Sequence, residues 1–186
     1  MSRTAVIHSI LLSHEGRILA NHEKPSESDE WYTPGWVFSM LGVNFDLDPC
    51  CGFGAPAERW CTNGEYADGL GIEWEGRVWL NPPYGGRNGI RPWLEKLMAH
   101  GDGIALVPNR TATEWWQDAA IAADGVLFVK HKIKFFRADG SEGKSPGYGN
   151  VLLAYGEEMS DALRRCNIPG YRSTVQTDRN KSENRY

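Results

Sequence analysis

The amino-acid sequence predicts one α/β domain, with helices on both faces of a central, mostly parallel sheet. Short apolar segments typical of buried strands alternate with segments of helical periodicity, and this alternation favours a layered α/β architecture. The length of 186 residues suits a single compact core that needs neither disulfides nor metals. The four cysteines lack the spacing of a zinc site or a disulfide framework, so we expect reduced thiols and no bound metal.

The individual elements follow from local patterns. Segments of strand-like composition occupy residues 43–48, 77–80, 103–107, 125–136 and 151–155. Helical segments cover residues 33–42 and 92–100, and a third helix is expected to start at residues 111–114, which have capping-box spacing. Thr33 is the expected N-cap of the first helix, with Pro34 at its first position, and Gly42 and Gly101 end the first two helices. Around these elements we expect an extension over residues 1–29, a main domain over 30–156 and a partly disordered C-terminal segment over 157–186.

Composition and charge narrow the class of protein. No segment reaches the roughly 18 consecutive apolar residues that a membrane span needs, and the apolar stretch 4–12 is interrupted by His8 with no cleavage site after it. We therefore expect a cytoplasmic protein without a membrane partner. The formal net charge of −4 argues mildly against a nucleic-acid partner, but DNA binding needs only a local basic face.

The segment with the clearest chemistry is Asn81-Pro82-Pro83-Tyr84, which directly follows the strand at residues 77–80. Two prolines cannot continue a ladder because neither has an N–H to donate, so they fix a rigid corner at the end of the strand. The side-chain oxygen of Asn81 and the carbonyl of Pro82 can accept both hydrogens of one amino group, which directs its lone pair toward an electrophilic methyl group. The ring of Tyr84 offers a face on which a base can stack, worth roughly 1–3 kcal/mol. Taken alone, the tetrapeptide also fits a tight turn, because Asn and Pro are common turn residues.

This tetrapeptide resembles the catalytic motif of methyltransferases that act on the amino group of adenine N6 or cytosine N4. The match widens to the order and spacing of the phage-type DNA N6-adenine methyltransferases, and it covers roughly residues 30 to 155. It is carried by EWYTP at 30–34, FDLDP at 45–49, DGL at 68–70, RVWLNPPY at 77–84, ALVP at 105–108 and IKF at 133–135. The resemblance implies a Rossmann-like methyltransferase fold for the main domain, with Asn81, Pro82, Pro83 and Tyr84 as its catalytic residues. Because only 32 residues (49–80) separate Asp48 from Asn81, we expect the sheet to be trimmed.

The resemblance also implies S-adenosylmethionine as the cofactor. A glycine-containing turn at 49–56 follows the first strand and would let the backbone approach a ligand closely, while it lacks the Lys-Ser/Thr of a P-loop. Asp46 and Asp48 alternate with apolar residues, so both carboxylates are expected on one side of the strand, and Thr33 and Pro34 would bring helix N–H groups to the donor's carboxylate. Each acid can equally be a solvated turn residue. The full set of expected donor contacts is Tyr32, Thr33, Pro34, Asp46, Asp48, Pro49, Gly52, Asp68 and Asn81, with Asp68 resting on the resemblance alone.

Positive residues suggest where double-stranded DNA would bind. Lys130, Lys132 and Lys134 alternate within the predicted strand 125–136, so they would project from one face and follow the phosphates. The alternative is an edge strand that its lysines protect from aggregation. A duplex adenine must also be flipped out of the stack, at a cost of a few kcal/mol. The expected nucleic-acid contacts are Tyr84, Arg87, Arg91, Arg110, Lys130, Lys132 and Lys134.

Two other functions fit the same residues. The Asn-Pro-Pro-Tyr element also serves methylation of glutamine in proteins, of cytosine N4, and of guanine N2 or adenine N6 in RNA. A second alternative is a relative without catalytic activity that only holds the donor or a nucleic acid. The intact tetrapeptide favours an enzyme.

Overall fold

A computed structural model describes residues 32–50, 57–60, 69–84, 89–137, 140–143 and 147–173. Within these ranges the chain alternates between helices and strands. In order they are α1 (Gly35–Leu41), β1 (Phe45–Asp48), β2 (Ala57–Trp60), β3 (Val78–Leu80), α2 (Arg91–His100), β4 (Gly103–Pro108), α3 (Glu114–Ala122), β5 (Gly125–Val129), β6 (Asn150–Tyr155), α4 (Glu157–Arg165) and β7 (Gly170–Ser173).

The strands form one seven-stranded sheet in the order β2-β1-β3-β4-β6-β5-β7. The pairs β1–β2, β1–β3 and β3–β4 are parallel, whereas β6 runs antiparallel to both β4 and β5, and β7 runs antiparallel to β5. Five strands therefore point one way, and the predicted mostly parallel sheet is confirmed. β2, the strand that follows β1 in the chain, lies on one side of β1, whereas β3 and β4 lie on its other side. The strand order therefore reverses between β1 and β3. Open α/β sheets bind their ligands at such a switch point, beyond the carboxyl ends of the strands.

Two apolar clusters show that the helices cover both faces of the sheet, as the sequence predicts. On one face, Val37 of α1 and Leu163 of α4 pack with the fully buried Trp79 of β3. On the other face, Leu94 of α2 and Trp116 of α3 pack against neighbouring strands. The result is a three-layer, Rossmann-like arrangement.

The first helix begins one residue later than the sequence predicts. Pro34, with an extended conformation at ψ 139°, is the N-cap, and Thr33 makes no capping hydrogen bond. Because Pro34 is itself extended, it lies outside the helix, and Thr33 is one residue too far from the first turn to act as the N-cap. The predicted end is confirmed: Gly42 adopts a left-handed φ of 70° and its N–H donates to the carbonyl of Phe38.

The expected capping box at residues 111–114 does not form. Thr113 is the N-cap of α3, without a side-chain capping bond. Its hydroxyl instead donates to the carbonyl of Arg110 at 2.8 Å, which anchors the turn between β4 and α3. The helix follows as predicted, but it begins at Glu114.

The predicted strand 125–136 is wrong beyond Val129. The N–H of Lys130 donates to the carbonyl of Pro169, and that of Ile133 donates to the buried side chain of Asn150 at 3.0 Å. These bonds take the backbone away from a ladder with β6, so residues 130–135 are irregular. The expected alternation fails at His131, which is exposed like the lysines on either side, but holds over residues 132–135, where the lysines are exposed and Ile133 and Phe135 are buried.

Three elements have no counterpart in the sequence analysis. They are β2, which pairs with β1, and α4 and β7, which lie in the predicted C-terminal segment and extend the layers of the domain. The prediction for residues 1–29, and the prediction of partial disorder as it concerns residues 174–186 of the C-terminal segment, lie outside the described residues. In the part of the chain that is described, no helix is long and apolar enough to cross a membrane.

Candidate active site at the carboxyl ends of β1 and β3

The Asn81–Tyr84 corner directly follows β3, a strand whose three residues are all buried. Pro82 is still buried, whereas Pro83 and Tyr84 are exposed. The corner thus leads the chain from the sheet interior to the surface within two residues, on the side of the switch point. This is the position that the sequence predicts for the tetrapeptide.

Tyr84 is anchored by its hydroxyl and exposed at its ring. The hydroxyl donates to Asn81 Oδ1 at 2.9 Å and lies 3.3 Å from the carbonyl oxygen of Leu106 in β4. Burial of this hydroxyl raises the pKa of Tyr84 above its ordinary value, and the neighbouring Cys50 adds to the shift. The phenol therefore stays a hydrogen-bond donor at neutral pH. The residue as a whole is 41% exposed, because its ring lies at the surface.

At the end of β1, the carboxylate of Asp48 is only 1% exposed. One of its oxygens accepts the N–H of Cys50 at 3.1 Å, a local bond typical of an Asx turn. A buried acid therefore begins the turn that faces β3 across the switch point.

Asp46 plays a different part from Asp48. Its Oδ2 accepts the backbone N–H of Arg77 at 2.7 Å and the guanidinium Nε at 3.3 Å, and this hydrogen bond is the main cause that raises the pKa of Arg77. The N–H groups of Asp46 and Leu47 both donate to the Arg77 carbonyl, which interrupts the pleat. Phe45 and Leu47 consequently pack on opposite faces of the sheet, so the expected alternation of the two acids does not hold.

The loop at residues 69–74 closes against the turn after β1. A Cβ at Gly69 would overlap the carbonyl oxygen of Pro49, so only glycine allows this approach. Trp74 Nε1 donates to the Gly69 carbonyl at 2.8 Å, and Lys96 Nζ donates to the carbonyls of Leu70 and Ile72. The structure thereby brings the chain next to Asp68 into contact with the β1 turn, while Gly52, Asp68 and Arg87 themselves lie outside the described residues.

The segment before α1 contributes a buried hydroxyl. Thr33 Oγ1 has no hydrogen-bond partner among the described residues although solvent does not reach it. Tyr32 forms a two-bond bridge with Phe136, and Pro34 is buried. An orphaned polar atom of this kind suits a ligand that supplies its partner.

Among the described residues, the expected cationic contacts divide into those that form ion pairs and those that do not. Arg91 forms ion pairs with Glu95, Glu114 and Asp118 at 3.0–3.1 Å and so links α2 to α3. The hydrogen bonds to Glu114 and Glu95 raise the pKa of Arg91. Lys134 pairs with Glu142 at 2.9 Å.

The remaining described cations are arranged differently. Lys130 is exposed, and Lys132 Nζ lies 3.4 Å from the carbonyl of Gly147. The guanidinium of Arg110 lies 4.3 Å from the ring centre of Tyr148. The sequence analysis did not single out Tyr148, although its position between Gly147 and Gly149 marks it as an aromatic residue held in a turn.

The chain matches the sequence model of a protein family described as DNA N-6-adenine-methyltransferase (Dam) over residues 20–182. The chain belongs to this family. The matched range includes every helix and strand of the structure, so α4 and β7 are part of the family's sequence and not an appendage to it. This Dam-family chain is a DNA adenine methyltransferase, as the predicted resemblance implied.

A curated relative agrees with the family assignment. The DNA N-6-adenine-methyltransferase of Haemophilus phage HP1 (strain HP1c1) is 25% identical to the chain over 134 residues, which span 66% of the chain and 75% of the relative. No solved structure matches the chain.

Proposed function

We propose that this Dam-family enzyme transfers a methyl group from S-adenosylmethionine to N6 of an adenine in double-stranded DNA, with the flipped base held by the Asn81–Tyr84 corner. The observation that carries the proposal is the hydrogen bond from the Tyr84 hydroxyl to Asn81 Oδ1. It fixes an acceptor oxygen beside an exposed aromatic ring, which is what a flat base with an amino group requires.

Asn81 acts as an acceptor that Tyr84 orients. An amide oxygen has two lone pairs, so Asn81 Oδ1 can accept from Tyr84 and from one amino hydrogen at the same time. The carbonyl of Pro82 accepts the second hydrogen. Held between these two acceptors, the nitrogen directs its lone pair toward the methyl group of the donor, and the acceptors stabilise the positive charge that develops on the nitrogen.

Tyr84 also provides the platform for the base. Its hydroxyl is anchored near Asn81 and Leu106, so the ring keeps one orientation without a bound base. Extrusion of a base costs a few kcal/mol, and stacking on an aromatic ring returns roughly 1–3 kcal/mol of it.

The residues around the switch point fit the methyl donor. Thr33 has an unpartnered buried hydroxyl, Asp48 a buried carboxylate, and Gly69 a close approach to Pro49. We propose that Thr33 and Asp48 bind the polar end of the donor, and that Tyr32, Pro34, Pro49, Gly52, Asp68 and Asn81 border it. The donor supplies an electrophilic methyl group on a sulfonium. Asp46 holds β1 to the start of β3 through Arg77, so its proposed role is to position the strand.

DNA is proposed to approach the same edge of the sheet. Arg110, Lys130 and Lys132 are exposed there, and Arg87 lies in the segment after Tyr84. Arg91 and Lys134 already have carboxylate partners, so for them a role in holding the protein together is favoured over a phosphate contact.

The substitution Asn81→Ala tests this function. It should lower methyl transfer to DNA by about 100- to 1,000-fold, the usual effect of losing one group that stabilises developing charge, while calorimetry still detects donor binding. The matched control is Asn44→Ala, an exposed position before β1, which should keep full activity. Tritiated methyl transfer is measured with DNA, RNA and protein as acceptors. Label in RNA or protein but not in DNA, or comparable activity in Asn81→Ala, would contradict the proposal.

A further inference from the structure

Arg110 and Tyr148 form a stacked pair on the surface. The guanidinium carbon lies 4.3 Å from the centre of the ring, within the range of a cation–π contact. Tyr148 is 51% exposed, and among the described residues its hydroxyl forms no hydrogen bond. The ring therefore supports the guanidinium without being part of the core.

The backbone places this pair at the same edge of the sheet as the catalytic corner. Pro108 at the end of β4 pairs with Asn150 at the start of β6, and the N–H of Asn109 donates to the carbonyl of Gly149 at 2.8 Å. Tyr84 reaches Leu106, two residues before the end of β4. With a rise of about 3.3 Å per strand residue, the pair lies roughly 10–15 Å from the Tyr84 hydroxyl.

The charge of Arg110 is available, in contrast to that of Arg91. Arg91 contacts three carboxylates, whereas no carboxylate of the described residues lies within ion-pair distance of Arg110. A guanidinium held on an aromatic face loses less conformational freedom when it binds an anion, because its plane is already oriented. Such a group is suited to the phosphate of a nucleic acid, which it can bind with two parallel hydrogen bonds.

We propose that the Arg110–Tyr148 pair is a binding site for the DNA backbone beside the flipped adenine. Arg110 binds phosphate oxygens, and Tyr148 is a positioning residue that fixes the plane of the guanidinium. At 3.4 Å per base step, the distance from Tyr84 corresponds to about three to four nucleotides from the target base. The inference rests on the proposed function, because it takes the bound polymer to be the DNA that the corner methylates.

Binding of a short fluorescent DNA duplex at several salt concentrations tests the pair, together with kcat and KM for methyl transfer to unmethylated genomic DNA. Arg110→Ala should weaken binding about tenfold and reduce the salt slope by about one, the signature of one lost phosphate contact. Tyr148→Ala should weaken binding about threefold, the exposed cation–π range, and raise KM without changing kcat. Tyr148→Phe should behave as the wild type, because it keeps the ring. Arg110→Lys should keep the salt slope while losing part of the affinity.

Two surface controls have the same chemistry elsewhere. Arg165→Ala removes an exposed arginine of α4, and Tyr171→Ala removes a 72% exposed tyrosine of β7 at the far edge of the sheet; neither should change DNA binding. If the wild type methylates DNA but Arg110→Ala and Tyr148→Ala bind the duplex as tightly as the wild type does, the proposed phosphate site is refuted and the proposed function stands. Failure of the wild type to methylate DNA would refute the proposed function instead. If Tyr148→Ala does not fold, the two Arg110 variants decide the question.

Discussion

The hydroxyl of Tyr84 donates to Asn81 Oδ1 at 2.9 Å, so in the proposed site one side chain both presents a stacking surface and orients the neighbouring acceptor. The two roles can be separated by substitution. Tyr84→Phe keeps the ring but loses the hydrogen bond, and it should lower kcat about fivefold, since such a bond is worth about 1 kcal/mol. Tyr84→Ala loses both and should also raise KM for DNA, because the stacking energy disappears. Equal kcat in the wild type and Tyr84→Phe would show that the bond does not orient Asn81.

Thr33→Val should have opposite effects on stability and on donor binding. The Thr33 hydroxyl is buried without a partner among the described residues, and an unsatisfied buried group costs about 1–3 kcal/mol. Valine has the same shape without that cost, so the free energy of unfolding should rise by about 1 kcal/mol in urea. Calorimetry should show weaker donor binding, by about tenfold, because the donor loses a hydrogen bond to a hydroxyl.

The control for this substitution is Thr113→Val. The Thr113 hydroxyl donates to the Arg110 carbonyl, so its removal should lower stability and leave donor affinity unchanged. Donor affinity that is unaffected by Thr33→Val would remove Thr33 from the proposed donor site.

Gly76→Ala should destabilise the fold more than Gly140→Ala. Both glycines have positive φ, 71° and 79°, which costs an L-residue about 1–2 kcal/mol. At Gly76 a Cβ would also lie 2.5 Å from Asp46 Oδ2, whereas nothing lies within 4 Å at Gly140. Urea unfolding should therefore give a loss of about 2 kcal/mol or more at Gly76 and about 1 kcal/mol at Gly140. Equal losses would mean that the packing of Asp46 against this turn contributes nothing.

Stability should begin to fall above about pH 10. Burial raises the pKa of both Tyr84 and Tyr155 in the folded protein, with smaller contributions from Cys50 and Asp124 respectively. Unfolded tyrosines lose their protons near pH 10, before the folded ones do. The stabilisation is therefore fully present below pH 10 and is lost as the pH rises beyond it.

Tyr155→Phe separates the contribution of Tyr155 to this pH dependence from that of Tyr84. It removes the bond to the Ala119 carbonyl and should cost about 1 kcal/mol at neutral pH, while it reduces the dependence of unfolding free energy on pH between about 10 and 11. An unchanged dependence would show that the hydroxyl ionises as readily in the folded state as in the unfolded one.

The sequence predicts best those features that a few neighbouring residues determine. The corner at Asn81 follows from two consecutive prolines, and the ends of α1 and α2 follow from glycines that adopt a left-handed conformation. β4 and residues 151–154 of β6 are apolar and buried, so their strand character is evident from the sequence.

Features that depend on distant partners could not be predicted in the same way. The alternating lysines at residues 130–134 have the pattern of a strand. The backbone N–H of Ile133 instead donates to the buried side chain of Asn150, 17 positions later in the sequence. Arg91 follows the corner closely in sequence, yet its carboxylate partners on α3 lie 23 and 27 positions away. The sequence does not predict β2, because only the pairing with β1 identifies so short and polar a segment as a strand.

The reversed direction of β6 has an evolutionary consequence. Because β6 runs antiparallel to β4 and β5, the chain leaves β5 at Val129 and enters β6 at Asn150 on the same edge of the sheet, the edge that also carries the Asn81–Tyr84 corner. Ile133 and Phe135 pack in the same core cluster as Val37 of α1 and Phe45 of β1, and Phe136 is bridged to Tyr32. Natural variation in this connection is therefore expected to keep residues 133 and 135 apolar and to fall on exposed positions such as His131 and Lys132.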